Sequence, residues 1–430
     1  FLEGNEVFVT TPRANSGNPL RELTNENFAT TSRRGFITDF LPTPVSLLNT
    51  RRIGGTANQV NPGDAIANRG ETGLPTDLLG AVKITGAIAD VRYGALAAFE
   101  DEVDWLGSRN GLPVDIHSDG RDFAVLRASY ERKKGQRLNL GYLGTFTDGP
   151  LYDAVVHGID GHLSTSDGRW NTDVQLMTSD VDGVTGQGGV LDVTFAPSSR
   201  FQHKFELDYF DEQVNINDLG FLRRNDYAGA QYVFRYASVK PMGIMSSNRG
   251  AVVIRQQYNL SKGQITDSGV FWRNTSTLPH RNTVRTALAY LPSRYEDINS
   301  RGNGAYKTDG RFWLNALWST DASKKLSWSF GAASLQEDLG DTTQQLSVGF
   351  TARPNGALNV QFDVKYKRRD GWIVYQGANN FGAFNGIEWQ PSLEMNWFMV
   401  PRHQLRFSLQ WAGVRMDEQG VFEVPVGDGE

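Results

Sequence analysis

The chain of 430 residues contains no cysteine, which excludes a disulfide framework and a thiolate metal site. It also has no run of about 20 apolar residues, so no segment has the composition of a transmembrane helix. Positive and negative side chains nearly balance at a formal net charge of −5, which gives no electrostatic reason to expect nucleic acid as a partner. Two or three soluble domains, or one large barrel, remain compatible with this length.

Patterns that would indicate a catalytic, metal-binding or phosphate-binding site are also scarce. The 6 histidines stand in no metal-ligand spacing, and His157 and His162 fall on opposite faces of a strand because they are an odd number of residues apart. No G-x-S-x-G elbow is present. The glycines between Gly183 and Gly189 lack the lysine and the helix of a phosphate loop. We therefore predict no cofactor, no metal and no catalytic residue, and expect that the chain is not an enzyme.

What the chain does have is alternation of apolar and polar residues, repeated between about residues 120 and 416. From Leu358 and Asn359 to Tyr366 and Lys367, each apolar residue is followed by a polar or charged one. Side chains of a strand point to opposite faces with a period of two, so each segment has one apolar and one polar face. A closed barrel in a lipid bilayer produces this pattern, with apolar residues outward and polar residues toward a lumen.

The alternation and the turn residues predict about 18 strands, of roughly the length that crosses a bilayer at a tilt. They are expected at 81–88, 90–104, 121–132, 136–147, 153–164, 169–179, 187–197, 200–211, 226–239, 250–260, 264–276, 282–293, 309–319, 324–335, 343–352, 357–368, 385–400 and 403–415.

The predicted connections differ in length according to the parity of the strand they follow. Short turns follow odd-numbered strands, and only 240–249 is long among them. Even-numbered strands are followed by longer loops, with 262–263 as the short exception; these loops are expected near 105–120, 212–225, 294–308, 336–342 and 369–384. Outer-membrane barrels show this asymmetry, so we expect the bacterial outer membrane as the location and the lipid bilayer with its lipopolysaccharide as a partner.

The parity of the connections also predicts that both ends of the strand series lie on the outer side of the membrane. Closure would then require one more strand at each end, because open edges in lipid leave unpaired backbone groups. An N-terminal strand within residues 1–45 and a strand after Glu430 would supply them, which gives about 20 strands in all.

Residues 1–78 form a different unit from the barrel expected at 79–430. They are rich in Asn, Thr, Gly and Pro, and only 6–9 and 35–38 have short strand-like patterns. Because so long a structureless loop is improbable in a compact domain, we expect this irregular segment to fold against the interior of the barrel. The predicted fold class is therefore an all-β transmembrane antiparallel barrel of about 18–20 strands, with this segment as a candidate plug.

The polar face of the predicted strands carries charges of both signs. The candidate lumen-lining residues are Arg127, Asp173, Glu206, Asp208, Arg235, Arg255, Arg285, Arg311, Asp363, Lys365, Glu388, Glu394 and Arg406. One interpretation is a solvated interior braced by ion pairs; the other is a substrate path with a selectivity cluster, whose position the sequence does not give.

Three segments resemble a family of uncharacterised outer-membrane barrels. They are Phe1-Leu2-Glu3-Gly4-Asn5-Glu6-Val7-Phe8, then Arg51-Arg52-Ile53-Gly54 with 79–86, and Asn217-Asp218-Leu219-Gly220-Phe221-Leu222-Arg223-Arg224-Asn225-Asp226-Tyr227. The resemblance covers about the first half of the chain; later strands match in pattern only. It implies a carbohydrate-binding family 9-like module before Phe1, further chain after Glu430 and no established reaction. It also implies that Asp218, Arg223 and Arg224 are structural braces rather than ligand contacts.

Three functions are compatible with these observations. The first is a channel, uptake port or secretion-associated pore for polar, saccharide-like solutes. The second is a structural anchor that displays outer loops and tethers a periplasmic glycan-binding module or outer-membrane partner subunits. The third is a hydrolase with its catalytic groups on the outer rim of the barrel.

Overall fold

The computed structural model describes most of the chain outside part of the N-terminal segment. The described residues are 5–15, 45–57, 59–60, 63–68, 70, 73–132, 135–300, 303–400 and 402–424. The predicted strand at 35–38 lies outside them. Short 3-10 turns form at Asn5–Phe8, Pro12–Asn15, Thr50–Arg52 and Pro279–Arg281. Among these residues no helix is long and apolar enough to cross a membrane.

Strands account for nearly all of the regular structure. They are β1 (Val45–Ser46), β2 (Ile66–Ala67), β3 (Leu78–Ile88), β4 (Val91–Glu100), β5 (Val103–Arg109), β6 (Leu112–Ser118), β7 (Asp122–Arg132), β8 (Arg137–Asp148), β9 (Ala154–Ser164), β10 (Trp170–Val181), β11 (Val184–Ser198), β12 (Phe201–Phe210), β13 (Phe221–Leu222), β14 (Tyr227–Ser238), β15 (Ser247–Asn259), β16 (Ile265–Thr277), β17 (Thr283–Leu291), β18 (Arg294–Glu296), β19 (Tyr306–Thr308), β20 (Arg311–Ser319), β21 (Leu326–Gln336), β22 (Thr342–Asn355), β23 (Leu358–Gly377), β24 (Asn380–Val400), β25 (His403–Gln410) and β26 (Gly413–Glu423).

Nineteen of these strands form one antiparallel sheet that curls into a closed barrel, in the order in which they occur along the chain. The last two, β25 and β26, both pair with the long strand β24, on either side of an interruption at Trp411 and Ala412. The barrel prediction is confirmed, and the strand count agrees with it. Within the described residues, neither β1 nor β2 joins the barrel, so the extra N-terminal barrel strand expected from parity is not found there.

Three predicted segments differ from the structure. The segment expected as a strand at 6–9 is not one, because residues 6–8 belong to the 3-10 turn Asn5–Phe8 and Val9 follows it without regular structure. The loop expected at 105–120 contains the hairpin β5–β6. The loop expected at 369–384 is instead the extension of β23 and β24, with a register shift between Arg369 and Trp372. Gly371 has a φ of +70° at this irregularity, which is typical of a β-bulge. The strand therefore continues through this glycine instead of ending there.

The long connections do lie at one end of the barrel, as parity predicted. Residues 101–121, 211–226 and 292–310 all leave the sheet at this end, which we call the long-loop end. The rule has two further exceptions, because the turns at 182–183 and 378–379 also lie there and are short. The opposite end, with turns such as 199–200 and 356–357, is the short-turn end.

The outer face of the barrel is apolar and exposed. Leu126, Leu176 and Leu346 are each more than half exposed, although they lie in the middle of paired strands. Rings gather toward the strand ends, for example Trp170 stacked on Phe195 with centroids 4.3 Å apart. A face of this kind, with aromatic rings at its edges, is suited to hydrocarbon flanked by two headgroup layers.

Candidate functional site

The ladder registers place all of the predicted lumen-lining residues on one face of the sheet. Partners in an antiparallel ladder point to the same side, and the registers can be followed strand by strand from Arg127 in β7 to Arg406 in β25. This face is the inner one, because the apolar residues between them are on the exposed outer side. Whether a solute meets these residues stays a prediction.

Part of the N-terminal segment crosses this inner face. Consecutive side chains of Val7 and Phe8 lie over Gly94 of β4, where a Cβ atom would be 2.8 Å from the ring of Phe8. A strand would send these two side chains to opposite faces, whereas in the 3-10 turn both contact the same glycine. Further along, the Thr10 hydroxyl donates to Gln175 of β10 at 2.7 Å.

The segment is held at its far end by a buried arginine. Arg13 is 1% exposed, and its Nε donates to both carboxylate oxygens of Asp192 at 3.1 Å. Its Nη1 lies 2.5 Å from Asp208 on the neighbouring strand. Lys204 and Glu206 extend this network through an ion pair. Such a buried ion-pair cluster holds its side chains in one arrangement. It adds little net stability, because removing each charge from water costs free energy.

A second ion-pair chain lies beside the first. Arg127 forms a bidentate pair with Asp160 of β9, in which the Nη2 distance is 3.0 Å. Its Nε also donates to the carbonyl oxygen of Val7 at 3.2 Å. His162 then bridges Asp160, at 3.3 Å, to Asp173, at 2.6 Å. The wall and the N-terminal segment therefore share one hydrogen-bonded network.

Residues 45–57 also pack on the inner face. Leu47 occupies the space over Gly158 of β9, where an added Cβ would lie 2.1 Å from its Cδ1 atom. The short strand β1 pairs with β13, which belongs to the loop at 211–226. The N–H of Asn49 donates to the Leu219 carbonyl at 2.6 Å. The loop from the long-loop end is thus folded into the barrel and bonded to the N-terminal segment.

Asp218 of this loop accepts two hydrogen bonds inside the barrel. Gln59 donates to it at 3.0 Å and the Tyr152 hydroxyl at 3.2 Å. Burial, together with the charge of Asp218, raises the pKa of Tyr152, so the phenol stays a donor. Arg224 pairs with Asp297 at 2.8 Å and 3.1 Å, which ties two loops together. The buried Nε of Arg223 makes no hydrogen bond in the described part of the chain. That Asp218, Arg223 and Arg224 are braces rather than ligand contacts stays a prediction.

Nearer the long-loop end of the wall, arginines and carboxylates are paired. Arg255 lies 3.0 Å from Asp267, which also contacts Arg294 at 3.3 Å. Arg294 lies 3.2 Å from Glu296 in turn, and Arg311 pairs with Asp338.

The wall from β20 to β25 contains a recess of mixed polarity with a volume of about 370 Å³. Its lining contains the polar side chains of Ser329, Ser347, Gln361, Asp363, Lys365, Gln390, Ser392, Glu394 and Gln410, and also the apolar side chains of Leu317, Val348, Pro391, Trp411 and Ala412. Amide, hydroxyl and charged groups of both signs can hydrogen-bond many polar solutes. Over the described residues, no group of three or more acidic or histidine side chains is arranged to hold a metal ion.

The sequence prediction did not include several residues that contribute most to this interior. Asp160, Asp192 and Lys204 occupy alternating positions of predicted strands, so the same periodicity could have identified them. Arg13 had no such signal, because apolar and polar residues do not alternate regularly in its segment. The residues packed on Gly94 and Gly158 depend on tertiary contacts that alternation does not encode.

Comparison with known proteins gives weak likenesses among solved structures. OpdL of Pseudomonas aeruginosa is 13% identical, with a TM-score of 0.40 over 77% of this chain and 97% of that one. The anion-selective porin from Comamonas acidovorans is 11% identical, with a TM-score of 0.34 over 80% and 100%. A bacterial polysaccharide outer membrane secretin is 12% identical, with a TM-score of 0.32 over 71% and 92%. At these values the likenesses carry no argument about this chain.

Sequence comparison is more informative about the family. No curated protein matches the chain. The family model described as domain of unknown function DUF5916 matches residues 144–423, which include the strands from β9 to β26 and the last part of β8. This match spans more than half of the sequence, and the chain therefore belongs to the DUF5916 family.

Proposed function

We propose that the chain is a bacterial outer-membrane channel for polar solutes. One observation carries the proposal: a closed sheet has an exposed apolar outer face and an inner face on which charged residues recur from β7 to β25. Only a membrane-spanning barrel requires apolar residues on its outer surface and polar ones within. Its mechanism is passive, set by the width of the lumen and its fixed charges.

The N-terminal segment narrows the channel in this proposal. Its contacts with Gly94, Gln175 and Asp192 support a position along the wall from β4 to β12. The polar side chains in the recess near Asp363 and Gln390, on the other side of the barrel, support passage of solutes rich in hydroxyl groups. Saccharide-like solutes remain the proposed class, since amide and carboxylate side chains hydrogen-bond hydroxyl groups well.

Liposome swelling tests this proposal. Vesicles that contain the purified barrel should swell in isosmotic solutions of a monosaccharide and swell more slowly as oligosaccharide length increases. Vesicles with correctly inserted barrel that swell no faster than empty ones in every sugar would contradict a channel function.

The structural anchor is the second candidate, and one observation favours it. The inner face from β4 to β14 is covered by the described N-terminal residues and by the loop at 211–226, as expected of a sealed barrel. The barrel would then hold a glycan-binding module or partner subunits at the membrane. A barrel that conducts nothing but co-purifies with such partners from its native membrane would support the anchor over the channel. Hydrolysis of lipid or peptide substrates by the purified barrel would instead support the rim hydrolase.

A further inference from the structure

The recess in the inner wall exists because small and long side chains lie side by side there. Ser329 of β21 pairs with Gly349 of β22 in the ladder. Two residues further along the same strands, Gly331 pairs with Ser347. These four small residues form a floor, and the longer side chain of Asp363 stands beside it on β23. The resulting volume of about 370 Å³ falls within the roughly 300–1,000 Å³ of sites that bind small molecules.

The carboxylate of Asp363 is held over this floor. A Cβ atom added at Gly349 would overlap its Oδ1 atom, so the glycine makes room for the carboxylate. Gln361 donates from Nε2 to Oδ2 of Asp363 at 2.7 Å. These contacts fix the direction of the carboxylate before a solute arrives. An ionised carboxylate has about four acceptor positions, so Asp363 can accept hydrogen bonds from a solute in addition to the one from Gln361.

A second carboxylate and two kinds of donor border the recess on the next strands. Glu394 of β24 lies opposite Gln361 in the ladder, which places it diagonally beside Asp363. Ser392 pairs with Gln410 of β25. Carboxylates only accept hydrogen bonds, whereas amide and hydroxyl groups both donate and accept them. The recess is therefore lined by groups that match hydroxyl groups, which also do both.

The charge and the apolar part of the lining narrow the class of ligand. The charged residues of the lining are Asp363, Glu394 and Lys365, so a solute with a carboxylate of its own meets more negative than positive charge, and like charges repel. Leu317 borders the floor, where a Cβ atom at Gly331 would lie 3.1 Å from its Cδ1 atom. A neutral sugar fits this lining, because it presents C–H groups to an apolar side chain and hydroxyl groups to polar ones.

We propose that the recess is a binding site for one neutral sugar unit, and that Asp363 and Glu394 determine its specificity by accepting hydrogen bonds from sugar hydroxyl groups. The proposal rests on the proposed channel function and deepens it, because it makes the barrel a selective channel instead of a general pore. Hydrogen bonds to an ionised acceptor are stronger than those between neutral groups, so the two carboxylates contribute most to binding.

Two matched variants test the role of the carboxylate. Asp363→Asn keeps the shape of the side chain and removes its charge. Glu131→Gln removes a carboxylate that is also half-buried on the inner face, but on β7 and outside the recess. Saturation-transfer NMR titrates each purified barrel with D-glucose and with D-glucuronate, which has a carboxylate in place of the hydroxymethyl group. We expect Asp363→Asn to weaken glucose binding about tenfold, as loss of a charge-assisted hydrogen bond would, and Glu131→Gln to leave it unchanged.

A glycine pair tests the position of the carboxylate without changing any charge. Gly349→Ala should push the Asp363 carboxylate off the floor and weaken glucose binding several-fold. Gly80→Ala, on β3, is the control, because a Cβ atom there would meet nothing within 4 Å. Equal glucose binding in these two variants would contradict the placement of Asp363 in the site.

The outcomes separate the site from the channel. Wild-type barrel that conducts but does not bind glucose, or glucose binding that is equal in Asp363→Asn and Glu131→Gln, would overturn the site and leave the channel. Glucuronate that binds wild type as tightly as glucose would overturn the neutral class of ligand. Glucose binding that depends on Asp363 in a barrel that never conducts would overturn the channel and leave the site. Far-UV circular dichroism and the heat-dependent shift in gel mobility establish that each variant is folded.

Discussion

At the scale of single residues, buried ion pairs connect the N-terminal segment to the wall. Arg13 is enclosed by Asp192 and Asp208, and removal of the guanidinium would leave two carboxylates without their shared cation. Breaking a buried pair in this way usually costs more than the pair contributes to stability.

We therefore expect Arg13→Gln to lower the free energy of unfolding by about 3–5 kcal/mol. Arg169→Gln is the control, because Arg169 lies in an exposed turn, 3.6 Å from Asp167, where a pair contributes about 0–1 kcal/mol. Urea titration of barrel refolded in liposomes measures both. Equal losses of unfolding free energy in the two variants would show that Arg13 does not hold the N-terminal segment to the wall.

His117 gives a prediction about pH in the hairpin β5–β6. The hydrogen bond between its Nδ1 and Asp104, at 2.8 Å, raises the pKa of His117 above its ordinary value. This contact is then fully formed below the ordinary histidine pKa and is lost as pH rises through the raised pKa.

Asp104→Asn should return the pKa of His117 toward its ordinary value. Titration of the imidazole C–H resonance by NMR measures the change, and Asp115→Asn on the same hairpin is the control. If both variants titrate as wild type, the hydrogen bond does not control this group.

At the scale of elements, glycines on strands make sites for larger residues of the N-terminal segment. Gly158 faces inward beneath Leu47, whereas Gly161 of the same strand faces outward. A methyl group at 158 would collide with Leu47, but at 161 it would meet Val174 at 3.1 Å and Leu140 at 3.5 Å, both on the outer face and away from the N-terminal segment.

Gly158→Ala should therefore displace residues 45–57, and Gly161→Ala should not. Because the chain has no cysteine, Leu48→Cys supplies a single reporter on this segment. We expect maleimide labelling of this thiol to be several-fold faster with Gly158→Ala than with Gly161→Ala. Equal rates would contradict the packing of Leu47 on β9.

An added positive charge should destabilise the barrel on the outer face of its strands but have little effect on the inner face. Leu126→Arg puts a charge into hydrocarbon and should cost about 2–4 kcal/mol at mid-membrane. Gln404→Arg puts one on the inner face and should cost little, because water can reach it there. Refolding into liposomes at increasing urea compares them, and equal costs would mean that the outer face does not meet lipid.

At the scale of the whole molecule, the barrel could be predicted because alternation is a local property of each strand. The same rule failed at 369–384, where a loop was expected, yet the strand continues through a bulge between Arg369 and Trp372. It also failed at Asp101 and Glu102, which separate β4 from β5 inside the strand expected at 90–104. The interior of the barrel was less predictable, because Arg13 and Leu47 are positioned by partners far away in sequence.

Single-channel recording in planar bilayers tests the central claim most directly. We predict that the purified chain gives stepwise currents, and that Arg13→Gln gives larger steps because the N-terminal segment is released from Asp192 and Asp208. Bilayers in which inserted barrel passes no current, either as wild type or with Arg13→Gln and Gly158→Ala combined, would contradict the claim that this barrel is a channel.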